Sequence, residues 1–215
     1  MDNKSKILVI ASHMDDEILG CGGTLKKHIE NGDKVYVLYI SSGESDAWKK
    51  EILDIRKGHA VNVSKYMGFE EIFFADLPLI QLDKIPRLEV VKAIQKIFYS
   101  IKPDILYCHY PTDINSDHRI VYESTIIWCR ASKSPFLNKV LLYEIFGSTT
   151  DFKPNYYVDI TSQAEFKLKS MSMYETEVNA QTRNLDTIKT HMKYRGCESN
   201  TDLAEAFYLH SLIER

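Results

Sequence analysis

Short runs of β-branched and other apolar residues alternate with amphipathic segments over the first two thirds of the chain, and this alternation constrains the fold most. Residues 6–12 have the length and composition of a buried parallel strand. Residues 17–29 then repeat apolar positions at helical spacing, up to the helix-ending pair Asn31 and Gly32. The same pattern predicts strands at residues 34–41, 71–75, 104–110 and 139–146, and helices at residues 47–67, 87–101 and 118–132. Because strands that alternate with helices form right-handed crossovers, we predict an α/β fold with a mainly parallel, doubly wound sheet.

The last third of the chain is less regular. Residues 156–160 have the pattern of an edge strand and residues 163–177 and 185–194 have helical patterns, whereas residues 204–210 fit either a strand or a helix. A chain of 215 residues is long enough for one sizeable core, and it contains no internal repeat, low-complexity tract or linker. We therefore expect a single domain over residues 1–215.

The composition excludes several function classes. Charged residues of both signs are interspersed and the formal net charge is −3, which gives no electrostatic footprint for nucleic acid or an anionic membrane. The longest early apolar run, residues 7–11, is too short for an export signal, and no stretch approaches the ~20 apolar residues of a membrane helix. The four cysteines form no CxxC pair and could form two disulfides in a secreted chain, but without an export signal we expect reduced thiols and a cytoplasmic protein. The oligomeric state is left open, a homo-oligomer included.

Two polar loops follow predicted strands, which is where open parallel sheets bind ligands. The first loop contains His13, Asp15 and Asp16, and the second, residues 112–118, ends on His118. Imidazole and carboxylate suit zinc, which keeps three protein ligands and one open position in catalytic sites. The first loop alone fits a metal site or a set of acidic residues that cap the following helix. The Asp-His pair at the second strand end favours the metal site, because a helix cap does not require it.

Three motifs carry a family resemblance. HxDDE at residues 13–17, followed by ILGCGGT at residues 18–24, resembles the signature of the PIG-L/LmbE deacetylases. DxNxDH at residues 113–118 resembles their second metal motif, and AEAF at residues 204–207 is similar to their C-terminal signature. The resemblance implies a Rossmann-like, LmbE-like fold and zinc-dependent hydrolysis of N-acyl groups. The substrate that it implies is a small-molecule N-acetylated amino-sugar conjugate.

The resemblance also implies roles for individual residues. Carried over by position, His13, Asp16 and His118 are the ligands of one zinc ion, and Asp15 is the general base. The chemistry supports these roles, since zinc polarises an amide carbonyl and lowers the pKa of a bound water whose proton Asp15 could accept. Sites of this His2Asp type also accept iron, cobalt or manganese, so the ligand set is better defined than the metal.

The chain departs from the family pattern at two positions. Met14 stands where the family commonly has proline, which alters loop stiffness more than chemistry. Asn115 stands where many members have histidine; its amide can donate a hydrogen bond to a developing oxyanion but cannot titrate. His109, at the end of the same predicted strand, is either a substitute for that histidine or a buried structural residue.

Each of several other polar residues has two alternative interpretations. Arg56 either faces the site and binds substrate or forms a surface salt bridge. Asp117 either orients a neighbouring group or caps a helix. Asp113 suits substrate contacts or an Asx-type turn, and we favour a site role. The glycines of residues 20–23 match no phosphate-loop motif and predict close packing of a helix on the sheet.

Two rival functions stay open on the sequence alone. A metal-dependent phosphoesterase also uses acidic and histidine ligands at strand ends, but its usual two-metal site requires more carboxylates than the motifs supply. A non-catalytic sugar- or nucleotide-binding module is compatible with the same fold, although the presence of Asp15 argues against it.

Overall fold

The computed structural model describes residues 4–178 and 183–214, which contain one mixed sheet of seven strands. The strands are β1 (Lys6–Ala11), β2 (Lys34–Gly43), β3 (Glu71–Pro78), β4 (Ile105–His109), β5 (Lys139–Tyr143), β6 (Tyr156–Asp159) and β7 (Ala204–Leu212). The helices that flank the sheet are α1 (Asp16–Glu30), α2 (Lys50–Met67), α3 (Arg87–Ile101), α4 (Ser116–Ile126), α5 (Ala164–Ser172), α6 (Glu175–Val178) and α7 (Leu185–Ser199). None of the helices in this described part is long and apolar enough to span a membrane.

The strand order is β3-β2-β1-β4-β5-β7-β6. The first five strands in this order pair in parallel, whereas β7 runs antiparallel to β5, and β6 runs antiparallel to β7. The predicted α/β fold with a mainly parallel, doubly wound sheet is therefore confirmed. The chain moves from β1 to β2 and β3 on one side and then to β4 and β5 on the other. The order thus reverses between β1 and β4, whose carboxyl ends frame a crevice at the topological switch point.

Strand β1 lies at the centre of two hydrophobic layers. Its side chains alternate: Ile7, Val9 and Ala11 pack with residues of α1, α2, α5 and α7, whereas Leu8 and Ile10 pack with residues of α3 and α4. All five are fully buried, which explains why the run is continuously apolar. Each large aliphatic side chain contributes roughly 1.5–3 kcal/mol on burial, so the strand holds the loop that follows it in a fixed position.

The structure differs from the local predictions mainly at the ends of elements. The predicted helix 163–177 is divided into α5 and α6, because Tyr174 between them turns inward and its hydroxyl donates to Glu17 at 2.6 Å. The predicted helix 118–132 corresponds to α4, which ends at Ile126. Residues 204–210 belong to strand β7, which pairs with β5 on one edge and β6 on the other.

The predicted close packing of α1 on the sheet is confirmed at two glycines. A Cβ atom added to Gly20 would lie 2.3 Å from Cδ2 of Tyr143 on β5, and one added to Gly23 would lie 2.7 Å from Cδ1 of Ile160. Real Cβ atoms do not approach other atoms so closely. The absence of a side chain at these positions therefore sets the distance between α1 and its neighbours.

Helix α1 is kinked at Cys21, whose φ of −147° and ψ of 15° are not helical. Backbone N–H groups beyond the kink, those of Gly23 and Thr24, donate to the Glu205 carboxylate at 2.9 and 2.7 Å. Lys167 on α5 forms a buried ion pair with the same carboxylate at 2.6 Å. Glu205 thus satisfies backbone donors that the kink leaves without helical partners, and its contacts are structural.

Candidate metal centre and active site

Three buried side chains meet in the crevice between β1 and β4. Nδ1 of His13 lies 3.4 Å from Oδ2 of Asp16 and 3.2 Å from Nε2 of His118. The same Nε2 lies 3.5 Å from that Asp16 oxygen. A tetrahedral zinc ion with bonds of about 2.0–2.2 Å separates its ligands by about 3.3–3.6 Å. The structure therefore brings together the three predicted ligands with the spacing that such an ion requires.

His13 is oriented by Asp117, at the start of α4. Oδ2 of Asp117 lies 3.2 Å from Nε2 of His13, on the opposite side of the imidazole from the other two predicted ligands. The carboxylate is itself held by the Ser41 hydroxyl at 2.8 Å and the backbone N–H of Leu82 at 3.2 Å. Burial alone would lower the pKa of His13, but hydrogen bonds and negative charge from Asp117 and Asp16 outweigh it and raise this pKa to about 9. An environment this anionic also attracts a divalent cation.

His118 has a corresponding carboxylate partner in Asp113. Oδ2 of Asp113 lies 3.0 Å from Nδ1 of His118, which leaves Nε2 facing the other ligands. The same carboxylate accepts hydrogen bonds from the hydroxyls of Ser148 and Thr149 and, at 2.9 Å, from the backbone N–H of Asn115. Burial opposes ionisation of Asp113, yet its neighbours, His118 first, lower its pKa to about 2. Both oxygens of Asp113 are therefore engaged inside the protein, one of them against His118, and substrate binding by Asp113 stays a prediction.

Asp15 lies at the N-terminal boundary of α1 without capping the helix. Its side chain makes no capping hydrogen bond, whereas Oε2 of Glu17 accepts one from the Asp15 backbone N–H at 3.2 Å, so the capping interpretation fails for Asp15 itself. The φ angle of Asp15 is 147°, a conformation that non-glycine residues rarely adopt and that costs about 1–3 kcal/mol. Such strain is typical of functional loops.

The Asp15 carboxylate is fully buried and has few partners. Oδ2 lies within ion-pair distance of Arg183, 2.7 Å from its Nη1, and neither Oδ1 nor Oδ2 has a hydrogen-bond partner among the residues that the structure describes. Burial raises the pKa of Asp15 well above its usual range, and the positive charge of Arg183 opposes this shift. A buried carboxylate oxygen without a protein donor is suited to accept a hydrogen bond from water or substrate.

His109 is buried beside the predicted ligands, with its Nε2 3.4 Å from Oδ2 of Asp16. Its Nε2 accepts a hydrogen bond from the backbone N–H of Ser12 at 3.0 Å, and its ring stacks on that of His118 with centroids 4.2 Å apart. Burial, together with the charge of His118, lowers the pKa of His109 to about 4. Because an acceptor Nε2 carries no proton, these contacts favour a structural role for His109. They disfavour the alternative that His109 replaces the family's second histidine as an acid.

The remaining predicted site residues have defined contacts. Asn115 is the N-cap of α4, and its Oδ1 accepts from the backbone N–H of Asp117 at 3.0 Å, so Asn115 is the helix cap and Asp117 is not. Arg56 is buried, so it is not the surface salt bridge that the sequence allowed. It pairs with Glu177 at 2.9 Å and lies over the Trp48 ring at 5.1 Å.

Sequence reasoning missed Arg183, Glu177 and Ser41, although all three contact predicted site residues or their partners. Neither Arg183 nor Glu177 lies in a loop that follows a parallel strand, and neither belongs to a motif. Arg183 and Glu177 come close to the site only through tertiary packing, so no local sequence signal could have identified these two residues.

Comparison with known proteins agrees with this geometry. The chain is 26% identical over 171 residues to "Uncharacterized deacetylase YaiS" of Escherichia coli (strain K12), a match that covers 75% of this chain and 85% of that protein. It is 26% identical over 202 residues to the diacetylchitobiose deacetylase of Thermococcus kodakarensis, with 80% of this chain and 70% of the relative covered. The solved structure of N,N'-diacetylchitobiose deacetylase from Pyrococcus horikoshii, complexed with its inhibitor MPG, matches with a TM-score of 0.79 at 22% identity. That match covers 97% of this chain and 85% of the other.

A match to a protein family is more specific than these pairwise similarities. The family described as GlcNAc-PI de-N-acetylase matches residues 8–129, which is more than half of the 215 residues. The matched range contains the loop with His13, Asp15 and Asp16 as well as the loop that ends on His118. The resemblance seen in the sequence is thereby confirmed, and the chain belongs to the PIG-L family.

Proposed function

We propose that this chain is a zinc-dependent N-deacetylase that removes the acetyl group from an N-acetylated amino-sugar conjugate. The observation that carries the proposal is the triangle of His13, Asp16 and His118 donor atoms beside the buried carboxylate of Asp15. The substrate class is supported by the family and by the diacetylchitobiose deacetylases to which the chain is similar.

The donor set supports hydrolysis of an amide. His13, Asp16 and His118 would hold a zinc ion, which when bound lowers the pKa of a water molecule and polarises the amide carbonyl. Asp15 accepts a proton from the attacking water and returns it to the leaving amine. The amide C–N bond breaks, the water oxygen joins the acyl carbon, and acetate and a free amine are released.

The other predicted residues are assigned by what they contact. We infer that Asp117 and Asp113 act through His13 and His118, by fixing which ring nitrogen each presents. A donor role for Asn115 toward the oxyanion stays a prediction. The same holds for substrate binding by Arg56. A cytoplasmic location, a single domain over residues 1–215 and a homo-oligomeric state also stay predictions.

The two rival functions make different demands on the site. A two-metal phosphoesterase requires a second set of ligands, and in residues 4–178 and 183–214 one group of three potential ligands is found, that of His13, Asp16 and His118. A binding module does not require a strained, buried carboxylate such as Asp15 next to the ligands. No observation on the described residues favours the phosphoesterase or the binding module over the deacetylase.

The test combines metal analysis with two product assays. Purified protein reconstituted with zinc is assayed for acetate release from N-acetylated amino-sugar conjugates and for phosphate release from phosphoesters, with and without a chelator. We expect about one zinc per chain and chelator-sensitive acetate release. Asp15→Asn should retain zinc but lose about 100-fold or more in turnover, whereas the exposed control Asp202→Asn should not. Chelator-sensitive phosphate release, or a chain that binds no metal, would overturn the proposal.

A further inference from the structure

A chain of alternating charges leads from the Asp15 carboxylate to helix α2. Arg183 lies between two acidic residues, with its Nη1 2.7 Å from Oδ2 of Asp15 and 2.8 Å from Oε2 of Glu177. The other oxygen of Glu177, Oε1, lies 2.9 Å from Nη2 of Arg56. Four residues from separate parts of the chain thus form three consecutive contacts of ion-pair length.

This charge chain supplies an ion-pair contact to the Asp15 carboxylate. The Asp15 side chain is completely buried, so no bulk water competes for its oxygens. Neither oxygen has a hydrogen-bond partner among the described residues, and Arg183 lies at ion-pair distance from Oδ2. The attraction between the buried opposite charges draws Oδ2 towards Arg183 and leaves Oδ1 for another ligand.

We propose that Arg183 is a positioning residue, which holds Oδ2 of Asp15 so that Oδ1 receives the proton of the attacking water. The inference rests on the proposed function, because it assigns the partner of the proposed base. Arg183 acts through Asp15 and takes no proton itself, since a guanidinium stays charged throughout the working pH range.

Glu177 and Arg56 make Arg183 a rigid partner. A lone arginine would lose much rotamer entropy when held against one carboxylate, but a guanidinium clamped between two carboxylates is already ordered. Arg56 is in turn fixed by burial and by the Trp48 ring. The side-chain exposure is 0% at Asp15, 26% at Arg183, 13% at Glu177 and 5% at Arg56, so Arg183 is the most exposed member of the charge chain and both of its ends are enclosed.

Two other roles for Arg183 predict different kinetics. If Arg183 bound substrate, its removal would mainly raise KM, because ground-state binding would be lost. If the ion pair blocked the site, removal would raise kcat/KM. A positioning role instead lowers kcat with little change in KM, because a misplaced base affects the chemical step.

The experiment compares Arg183→Gln, Arg183→Lys and Glu177→Gln with wild type. Arg183→Gln should lower kcat about 10- to 100-fold with KM changed less than about twofold. Arg183→Lys should recover part of this loss, since a lysine ammonium replaces the charge without the planar geometry. The kcat of Glu177→Gln should lie between those of Arg183→Gln and Arg183→Lys, because Arg183 remains but is less constrained. Guanidinium ion added to the assay should partly restore the kcat of Arg183→Ala.

Arg130→Gln is the matched control, since Arg130 is exposed beyond the far end of α4 and its Nε donates to the backbone carbonyl of Ile127. Zinc content and thermal midpoint are measured for every variant, so that loss of fold or metal is recognised. Wild-type kcat in Arg183→Gln, a change confined to KM, or a rise in kcat/KM would overturn the positioning role while leaving the deacetylase proposal intact.

A crystal structure of Arg183→Gln judges the inference without any assay. We expect the Asp15 carboxylate to rotate while the side chains of His13, Asp16 and His118 keep their positions. An Asp15 carboxylate that keeps its orientation in Arg183→Gln would overturn the positioning role. A wild-type protein that releases no acetate would instead refute the proposed function, so the two failures are distinguishable.

Discussion

The Asp117 carboxylate lies 3.2 Å from Nε2 of His13, although 104 positions separate the two residues in the sequence. The pair connects the start of α4 with the loop after β1, and so joins the two halves of the doubly wound sheet at the switch point. The contact fixes which nitrogen of His13 faces Asp16 and His118.

Removal of the Asp117 charge should weaken metal binding without loss of the fold. In Asp117→Asn the carboxylate that orients His13 becomes a neutral amide, and partners of this type are worth about 10–100-fold in metal affinity. A competition titration with a chromogenic chelator measures the change. Asp202→Asn, at an exposed position, should bind zinc as wild type does. Equal zinc affinity in Asp117→Asn and wild type would show that His13 needs no such partner.

Metal removal should lower the stability of the folded chain. A ligand that binds only the folded state at about 100 times its dissociation constant adds about 2.7 kcal/mol, and each kcal/mol shifts the midpoint by about 2–4 °C for a chain of this size. We therefore expect zinc to raise the thermal midpoint of the metal-free protein by about 5–11 °C at that excess. Calorimetry with His118→Asn is the control, since loss of one ligand should remove the shift. A shift of equal size in that variant would argue for zinc binding elsewhere.

Two glycine-to-alanine changes should alter stability in opposite directions. Gly20→Ala forces a methyl group against the Tyr143 ring, and such overpacking typically costs about 1–3 kcal/mol. Gly58→Ala, within α2, meets no atom within 4 Å and should add about 0.5–1 kcal/mol through helix propensity. Urea unfolding of both variants measures the difference. If Gly20→Ala were as stable as wild type, α1 would have to lie farther from β5.

The buried pair of Glu205 and Lys167 should be important for stability but not for chemistry. Glu205→Gln leaves the Lys167 ammonium without its charge partner, and breaking a buried pair costs about 3–5 kcal/mol. Glu123→Gln, which breaks the exposed pair with Arg87, should leave the unfolding midpoint unchanged within error. Zinc content of folded Glu205→Gln should equal that of wild type. A loss of zinc at temperatures where this variant remains folded would assign Glu205 to the site.

The acid dependence of stability should include a contribution from Glu144. Burial raises the pKa of this group, but His191 and Arg195 outweigh burial and lower the pKa below its ordinary value near 4.5. Because the folded-state value is depressed, the stabilisation is present above about pH 4.5 and is lost as the pH falls through the folded-state pKa.

The corresponding test is Glu144→Gln. The difference in unfolding free energy between this variant and wild type should be larger at about pH 7 than at about pH 3, as measured by urea unfolding at both values. A difference that stays constant between these pH values would mean that Glu144 has the same pKa in the folded and unfolded states.

The sequence by itself determined the sheet and the location of the site. A strand buried on both faces must be apolar throughout, so β1, β2 and β4 are visible as local runs. Polar residues that directly follow two such strands must lie at the same edge of a parallel sheet. His13, Asp16 and His118 could therefore be grouped before any distance was known.

Only the tertiary structure decided how the groups around those ligands are used. The sequence allowed Asp117 either to orient a neighbouring group or to cap a helix; the structure gives the cap of α4 to Asn115 and turns Asp117 toward His13. It also made residues 204–210 a strand, by pairing them with neighbours on both edges.

Arg183 shows the limit most clearly, because it lies just before α7 and yet contacts Asp15, in the loop between β1 and α1. Periodicity and motifs report a residue's own element, whereas partners distant in sequence depend on the packing of several elements at once. The chemistry of the predicted metal ligands was thus encoded locally, and the orientation and support of those side chains arose only when the chain folded.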